Sequence, residues 1–106
     1  MSPEKVTYEE TDAVAGGLRF LREPLACENL GVSVLECDPG WEGKPHDHAE
    51  EGQEEVYVLV DGAATVSVDG EDVEMAAGDA LRLAPDERRQ IRNGDDPSTF
   101  VLAGAP

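Results

Sequence analysis

Lysine is nearly absent from this chain of 106 residues, occurring only as Lys5 and Lys44; with six arginines the basic total is 8 against 24 acidic residues. The net charge of −16 leaves no basic stripe along the sequence. Nucleic acid is therefore not an expected partner, because a polyanion is held by clustered cations. An anionic membrane surface would repel the chain, and no apolar run approaches the roughly 18 residues that a membrane-spanning helix needs. The opening residues Met1–Val6 carry neither the basic stretch nor the apolar core of a secretory leader. A cytoplasmic location is the expectation. Cys27 and Cys37 are the only cysteines, too few for a disulfide scaffold, and are expected as buried thiols.

Aromatics are also scarce, at 5% of residues, and high charge with few aromatics can mean disorder. Against that, 40% of residues are hydrophobic and the valine-rich runs alternate. The length suits one domain over residues 1–106, with 1–15 as an extended N-terminal arm. The acids are scattered from Glu4 to Asp96, as on a solvated surface. Such a charge should destabilise a compact chain by self-repulsion at low salt. At about 1 M salt the screening length falls to about 3 Å and that repulsion is largely removed. The composition thus reads as that of a halophilic source, with an ordinary acidic protein as the alternative. The unfolding midpoint is expected to rise from low to molar salt; a flat midpoint would refute the reading.

The segments that are present are short, rich in Val, Leu and Thr, and bounded by turn residues. Strands are expected at Leu18–Leu21, Leu30–Cys37, Glu55–Val60, Ala64–Val68, Val73–Ala76, Ala80–Ala84, Arg88–Arg92 and Thr99–Ala103. Asp69-Gly70, between two alternating runs, is a two-residue hairpin signal. No segment sustains the apolar period of a helix, though a helical turn near Thr11–Val14 is an option. Many short strands at regular spacing predict an all-β sandwich or barrel.

The chemistry-bearing stretch runs from Gly40 to Gly62. His46 and His48 are the only histidines, and at i and i+2 on extended chain they share a face. Glu55 opens the next strand. Two imidazoles and a carboxylate with open positions suit Fe(II), and also Mn, Ni, Co or Zn. Five residues separate Gly40 from His46 and six separate Glu55 from Gly62. Both spacings resemble the first motif of the cupin superfamily. Six residues separate His48 from Glu55, more than the family pattern has, so this loop carries an insertion.

The resemblance implies a small double-stranded β-helix, a jelly-roll barrel with a divalent transition metal in its mouth held by His46, His48 and Glu55. It also implies a small-molecule ligand, a homodimer and, if the chain is an enzyme, oxygenase or isomerase chemistry. The second family motif is matched only in part. Gly78-Asp79 opens it and Pro85 follows one residue late. Anchoring on Asn93 puts Arg89 where the family has a metal-binding histidine, whereas anchoring on Pro85 puts Gln90 there. Arg89 is preferred, because Ile91 then shares its inward face while Arg88, Gln90 and Arg92 point out.

A guanidinium cannot ligate a cation. Either a metal sits on the three remaining ligands with Arg89 beside it to hold an anionic group, or Arg89 pairs with Glu55 and replaces the metal charge. The chain is thus read as a metal-binding cupin acting on or holding a small molecule, an anionic one included. The alternative is a metal-free binding module without catalysis. Tyr57 shares the face of Glu55 and can hydrogen-bond a ligand or simply fill the core. Gln53 can serve a ligand or lie in a loop. Trp41 is expected to pack at the barrel edge, and the remaining Glu50–Glu54 acids to be solvated. Arg82, Arg88, Arg89 and Arg92 gather half of all basic residues in one stretch. They attract an anionic ligand on one reading and pair with surface acids on the other.

Overall fold

The structure is a computed structural model that describes residues 3–106. Its layout follows from short alternating segments that tight turns return antiparallel to their neighbours. Strand β1 covers Leu18–Phe20, β2 Gly31–Cys37, β3 Glu54–Asp61 and β4 Ala63–Val68. Strand β5 covers Glu71–Ala76, β6 Ala80–Leu83, β7 Arg89–Asn93 and β8 Ser98–Ala105. Every expected strand is present, with ends displaced by no more than two residues. They form a five-stranded sheet, β1-β2-β8-β3-β6, and a three-stranded sheet, β5-β4-β7. All the pairings are antiparallel. This is the expected all-β jelly roll.

The Asp69-Gly70 hairpin is built as the dipeptide requires. Both residues have positive φ, 49° and 85°, the primed turn whose twist matches the flanking strands. A two-residue loop resumes pairing at once, Val68 with Glu71, so β5 begins before the apolar residue Val73. At the end of β3, Gly62 has φ 86°, and a Cβ there would lie 2.5 Å from the Pro97 carbonyl oxygen.

Period-two alternation buries one face of each strand. In β3, Tyr57 and Leu59 are buried while Glu54, Val56 and Val60 are exposed. Leu35, Leu59, Val66, Met75, Leu83 and Phe100 meet in the core between the sheets. Buried Asn93 closes the end of β7. Its amide donates to the carbonyls of Cys37, Asp38 and Asp96, and its oxygen accepts from Ser98 Oγ at 2.7 Å. Asn93→Ala would leave several of these groups unpaired, and is expected to lower the urea-unfolding free energy by about 2–3 kcal/mol.

Two local expectations need correction. The helical turn is a 3-10 turn at Tyr8–Glu10 rather than at Thr11–Val14. Thr11 closes it, donating both its backbone N–H and its hydroxyl to the Tyr8 carbonyl, while Val14 is extended and bridges Leu18. Apart from that turn and that bridge, the described part of the arm has no regular structure; its first two residues lie outside the described residues. Cys37 is buried as expected, and burial pushes its thiol pKa up. Cys27 is only half-buried, because it ends a surface turn in which its N–H bonds the Arg22 carbonyl.

Candidate functional site

His46 and His48 do not lie on a regular strand. Pro45 has no N–H to give to a ladder, so the Trp41–His48 segment follows β7 only through isolated contacts. His46 exchanges both backbone hydrogen bonds with Arg89, and the His48 N–H bonds the Pro85 carbonyl. The two rings still face the same way, with centroids 5.0 Å apart in a T-shaped arrangement. His46 Nδ1 lies 3.0 Å from the Lys44 carbonyl. An Nδ1–H donated to that carbonyl would leave the Nε2 lone pair for a metal ion.

Glu55 reaches the same place from β3. Ligand atoms of His46, His48 and Glu55 lie within 4.8 Å of one another. Glu55 Oε1 is 3.2 Å from His48 Nε2 and 3.6 Å from Arg89 Nη2. Neither approach has hydrogen-bond alignment, so this buried oxygen has no hydrogen-bond partner. A buried carboxylate oxygen left open toward two imidazoles fits a divalent cation. Beyond His48, Glu51 Oε1 stands 3.5 Å from Nδ1. This acid of the inserted loop was expected to be solvated. It is exposed, yet it is within reach of the outer face of the imidazole.

Arg89 takes the inward position expected of it. Its guanidinium is 1% exposed, donating to the Glu87 carbonyl at 2.6 Å and the Ala84 carbonyl at 3.3 Å, with Nε unpartnered. Gln90 points away and donates to the Gly43 carbonyl. Arg89 is therefore beneath the site floor rather than in the cavity wall. Tyr57 is buried beside both charges. Desolvation and then the Glu55 charge push its phenol above the ordinary value, with Arg89 opposing, so the hydroxyl stays protonated and can donate.

Above this floor opens a cavity of about 460 Å³, within the size range of small-molecule sites. His46, His48, Gln53, Glu55 and Tyr57 line it, with Leu18, Phe20, Trp41 and Leu102 as apolar walls. Trp41 thus forms a wall as well as packing, its indole N–H donating to the Ala15 carbonyl. Two glycines make the space. Gly31 pairs with Gly104, and Gly104 with Glu55, so one row across three strands lacks side chains beside the carboxylate. A Cβ on Gly104 would meet Glu55 Cγ at 3.1 Å. Sequence reasoning missed this row, because it appears only once the distant strands β2, β3 and β8 are aligned.

The arginine cluster does not converge. Arg82 pairs with Glu54 at 3.1 Å, and Arg92 with Asp72 at 2.7 Å. The hydrogen bond from Arg92 first, and then that from Ser67, holds the Asp72 carboxyl below its usual range. Surface pairing accounts for these two arginines. Exposed Arg88 reaches the Pro45 carbonyl.

Three comparisons place the chain among known proteins. The cupin domain family matches residues 33–104. A beta-D-galactosidase of Mycobacterium tuberculosis is 33% identical over 81 residues, covering 76% of this chain and 67% of the relative. Among solved structures, a cupin protein from Bacteroides fragilis is 30% identical with a TM-score of 0.84, covering 99% of this chain and 85% of the other. A sugar phosphate isomerase of the cupin superfamily from Silicibacter pomeroyi has a TM-score of 0.80 at 22% identity, covering 96% and 75%.

Proposed function

Since this chain belongs to the cupin family, we propose that it is a metal-binding cupin whose cavity takes a small, sugar-like molecule. The observation that carries this reading is the convergence of His46, His48 and Glu55 within 4.8 Å, with an unpartnered buried carboxylate oxygen among them. These residues would hold one divalent transition ion, Fe, Mn, Ni, Co or Zn. Bound there, the ion would supply Lewis acidity. Tyr57 and Gln53 would orient ligand oxygens, and the apolar walls would exclude water. The sugar-like ligand is supported by the two relatives named for sugar chemistry and by the cavity's size.

A second reading is favoured by a separate observation, the buried approach of Arg89 to Glu55 at 3.6 Å. Here the guanidinium offsets the carboxylate without any metal, and the barrel binds its ligand without turnover. The expected homodimer belongs to either reading. The outer face of the five-stranded sheet supports it, since Val56, Val58 and Val101 share that face and Val56 and Val60 are exposed.

The deciding measurement is the metal content of the protein purified in molar salt without chelator, beside a His46→Ala variant. Stoichiometric metal that the variant lacks supports the first reading. No metal in either protein leaves the second.

A further inference from the structure

The charge of the cavity wall is the reverse of the charge of the chain. The chain carries 24 acids, yet only Glu55 lines the cavity. It carries just 8 basic residues, and two of them, Arg22 and Lys44, line it.

Among the described residues, Arg19, Arg82, Arg89 and Arg92 each pair with a carboxylate; Lys5, Arg22, Lys44 and Arg88 do not, and of these four only Arg22 and Lys44 line the cavity. Arg22 is held instead by backbone carbonyls: Nη2 donates to Glu28 at 2.7 Å and Nε to Cys27 at 3.5 Å. Neutral acceptors orient a guanidinium without cancelling its charge. Arg88 is likewise held by a backbone carbonyl, that of Pro45, but it does not line this cavity. Arg22 and Lys44 are both exposed, so their charges lie on the solvent side of a cavity whose floor is His46, His48 and Glu55. Phe20, Trp41 and Leu102 line the same cavity.

We propose that Arg22 and Lys44 form an anion subsite on this cavity, and that its ligand carries a phosphate or carboxylate group at the solvent-facing end. The proposal deepens the functional reading above and rests on the cavity being the ligand site. It does not rest on the metal. The subsite also gives a repelling surface a place of entry: a −16 chain repels anions, and local positive potential at the cavity would focus them.

Trp41 is the only tryptophan and lines this cavity, so its fluorescence reports the local potential. Quenching is measured with iodide, caesium and neutral acrylamide at about 0.15 M ionic strength, where charges within about 8 Å still act. Scaled to their quenching of free N-acetyltryptophanamide, which removes the intrinsically weaker quenching by caesium, iodide is expected to quench better than caesium despite the net charge. In an Arg22→Gln/Lys44→Gln variant the iodide constant is expected to fall about threefold with acrylamide unchanged. Caesium outperforming iodide in the parent protein, or an unchanged iodide constant in the variant, would overturn the subsite. The His46→Ala variant should keep the iodide preference, so failure of the metal reading and failure of the subsite are separable. Titration with glucose 6-phosphate, gluconate and glucose, read by the same tryptophan, then identifies the anion. At least one of the two anions should bind more tightly than glucose and weaken about tenfold in the double variant. Tighter glucose 6-phosphate assigns a phosphate ester, tighter gluconate assigns a carboxylate, and equal affinity for glucose overturns the proposal.

Discussion

Arg89→Met is expected to destabilise the metal-free protein by about 3 kcal/mol, the cost of leaving a half-buried carboxylate without its counter-charge and two carbonyls without their donor. Arg89 is 1% exposed, and its side chain also satisfies the carbonyls of Ala84 and Glu87. Methionine fills comparable volume but replaces none of those bonds. For a chain of this size the thermal midpoint should fall by more than about 10 °C. The same substitution should tighten binding of a divalent ion, since a fixed positive charge near Glu55 opposes a cation there. Stability lost without metal should therefore be partly recovered when Mn²⁺ or Zn²⁺ is added, in proportion to the logarithm of its concentration above the dissociation constant. Thermal unfolding of the variant with and without the ion reads both effects. A double variant with Glu55→Gln should recover most of the metal-free loss, because removing both charges together leaves no unpaired ion. If the double variant is as unstable as Arg89→Met alone, the cost lies in the carbonyls of Ala84 and Glu87, not in Glu55.

The eight strands were legible because alternation and Asp-Gly turns are local signals, readable in windows of a few residues. The His46, His48 and Glu55 group was legible from the i, i+2 histidines together with the resemblance of the flanking glycine spacings to the family motif, even though Pro45 keeps the histidines off a regular strand. Period two survives in an extended segment, whether or not its ladder is complete. What resisted reading was non-local. Arg82 and Arg92 are ten positions apart in sequence, but β6 and β7 belong to different sheets, so the apparent patch is divided between two surfaces. Gly31 and Gly104 gain meaning only beside Glu55, and no local pattern pairs residues so far apart. Arg22 and Lys44 were overlooked for the same reason: each is a single charge in its own segment, and only the closed barrel brings both to one cavity. The expectation for Thr11–Val14 failed locally, since one threonine closing the turn behind it is a weaker signal than an apolar period.

His46→Ala should separate the two accounts of the floor, because it removes a ligand without touching the Arg89–Glu55 pair. In the metal-free protein the loss is small. The imidazole lines an open cavity, and the T-shaped contact with His48 at 5.0 Å is worth only about 0.5–1.5 kcal/mol. With metal the effect is large. A site of two imidazoles and one carboxylate reduced to one imidazole and a carboxylate beside a guanidinium should bind at least about 100-fold more weakly. The parent protein at about 100 times the dissociation constant of its ion gains about 2.7 kcal/mol of stability, and the variant at the same ion concentration should gain almost nothing. The pairing with Arg89→Met sharpens the test, since that substitution acts in the opposite sense: large loss without metal, tighter binding with it. A parent protein whose unfolding midpoint does not respond to Mn²⁺, Fe²⁺, Ni²⁺, Co²⁺ or Zn²⁺ would refute the metal centre. The unpartnered oxygen of Glu55 would then owe its position to Arg89 alone, and the cavity above it would be a binding site whose only fixed cations belong to the protein itself.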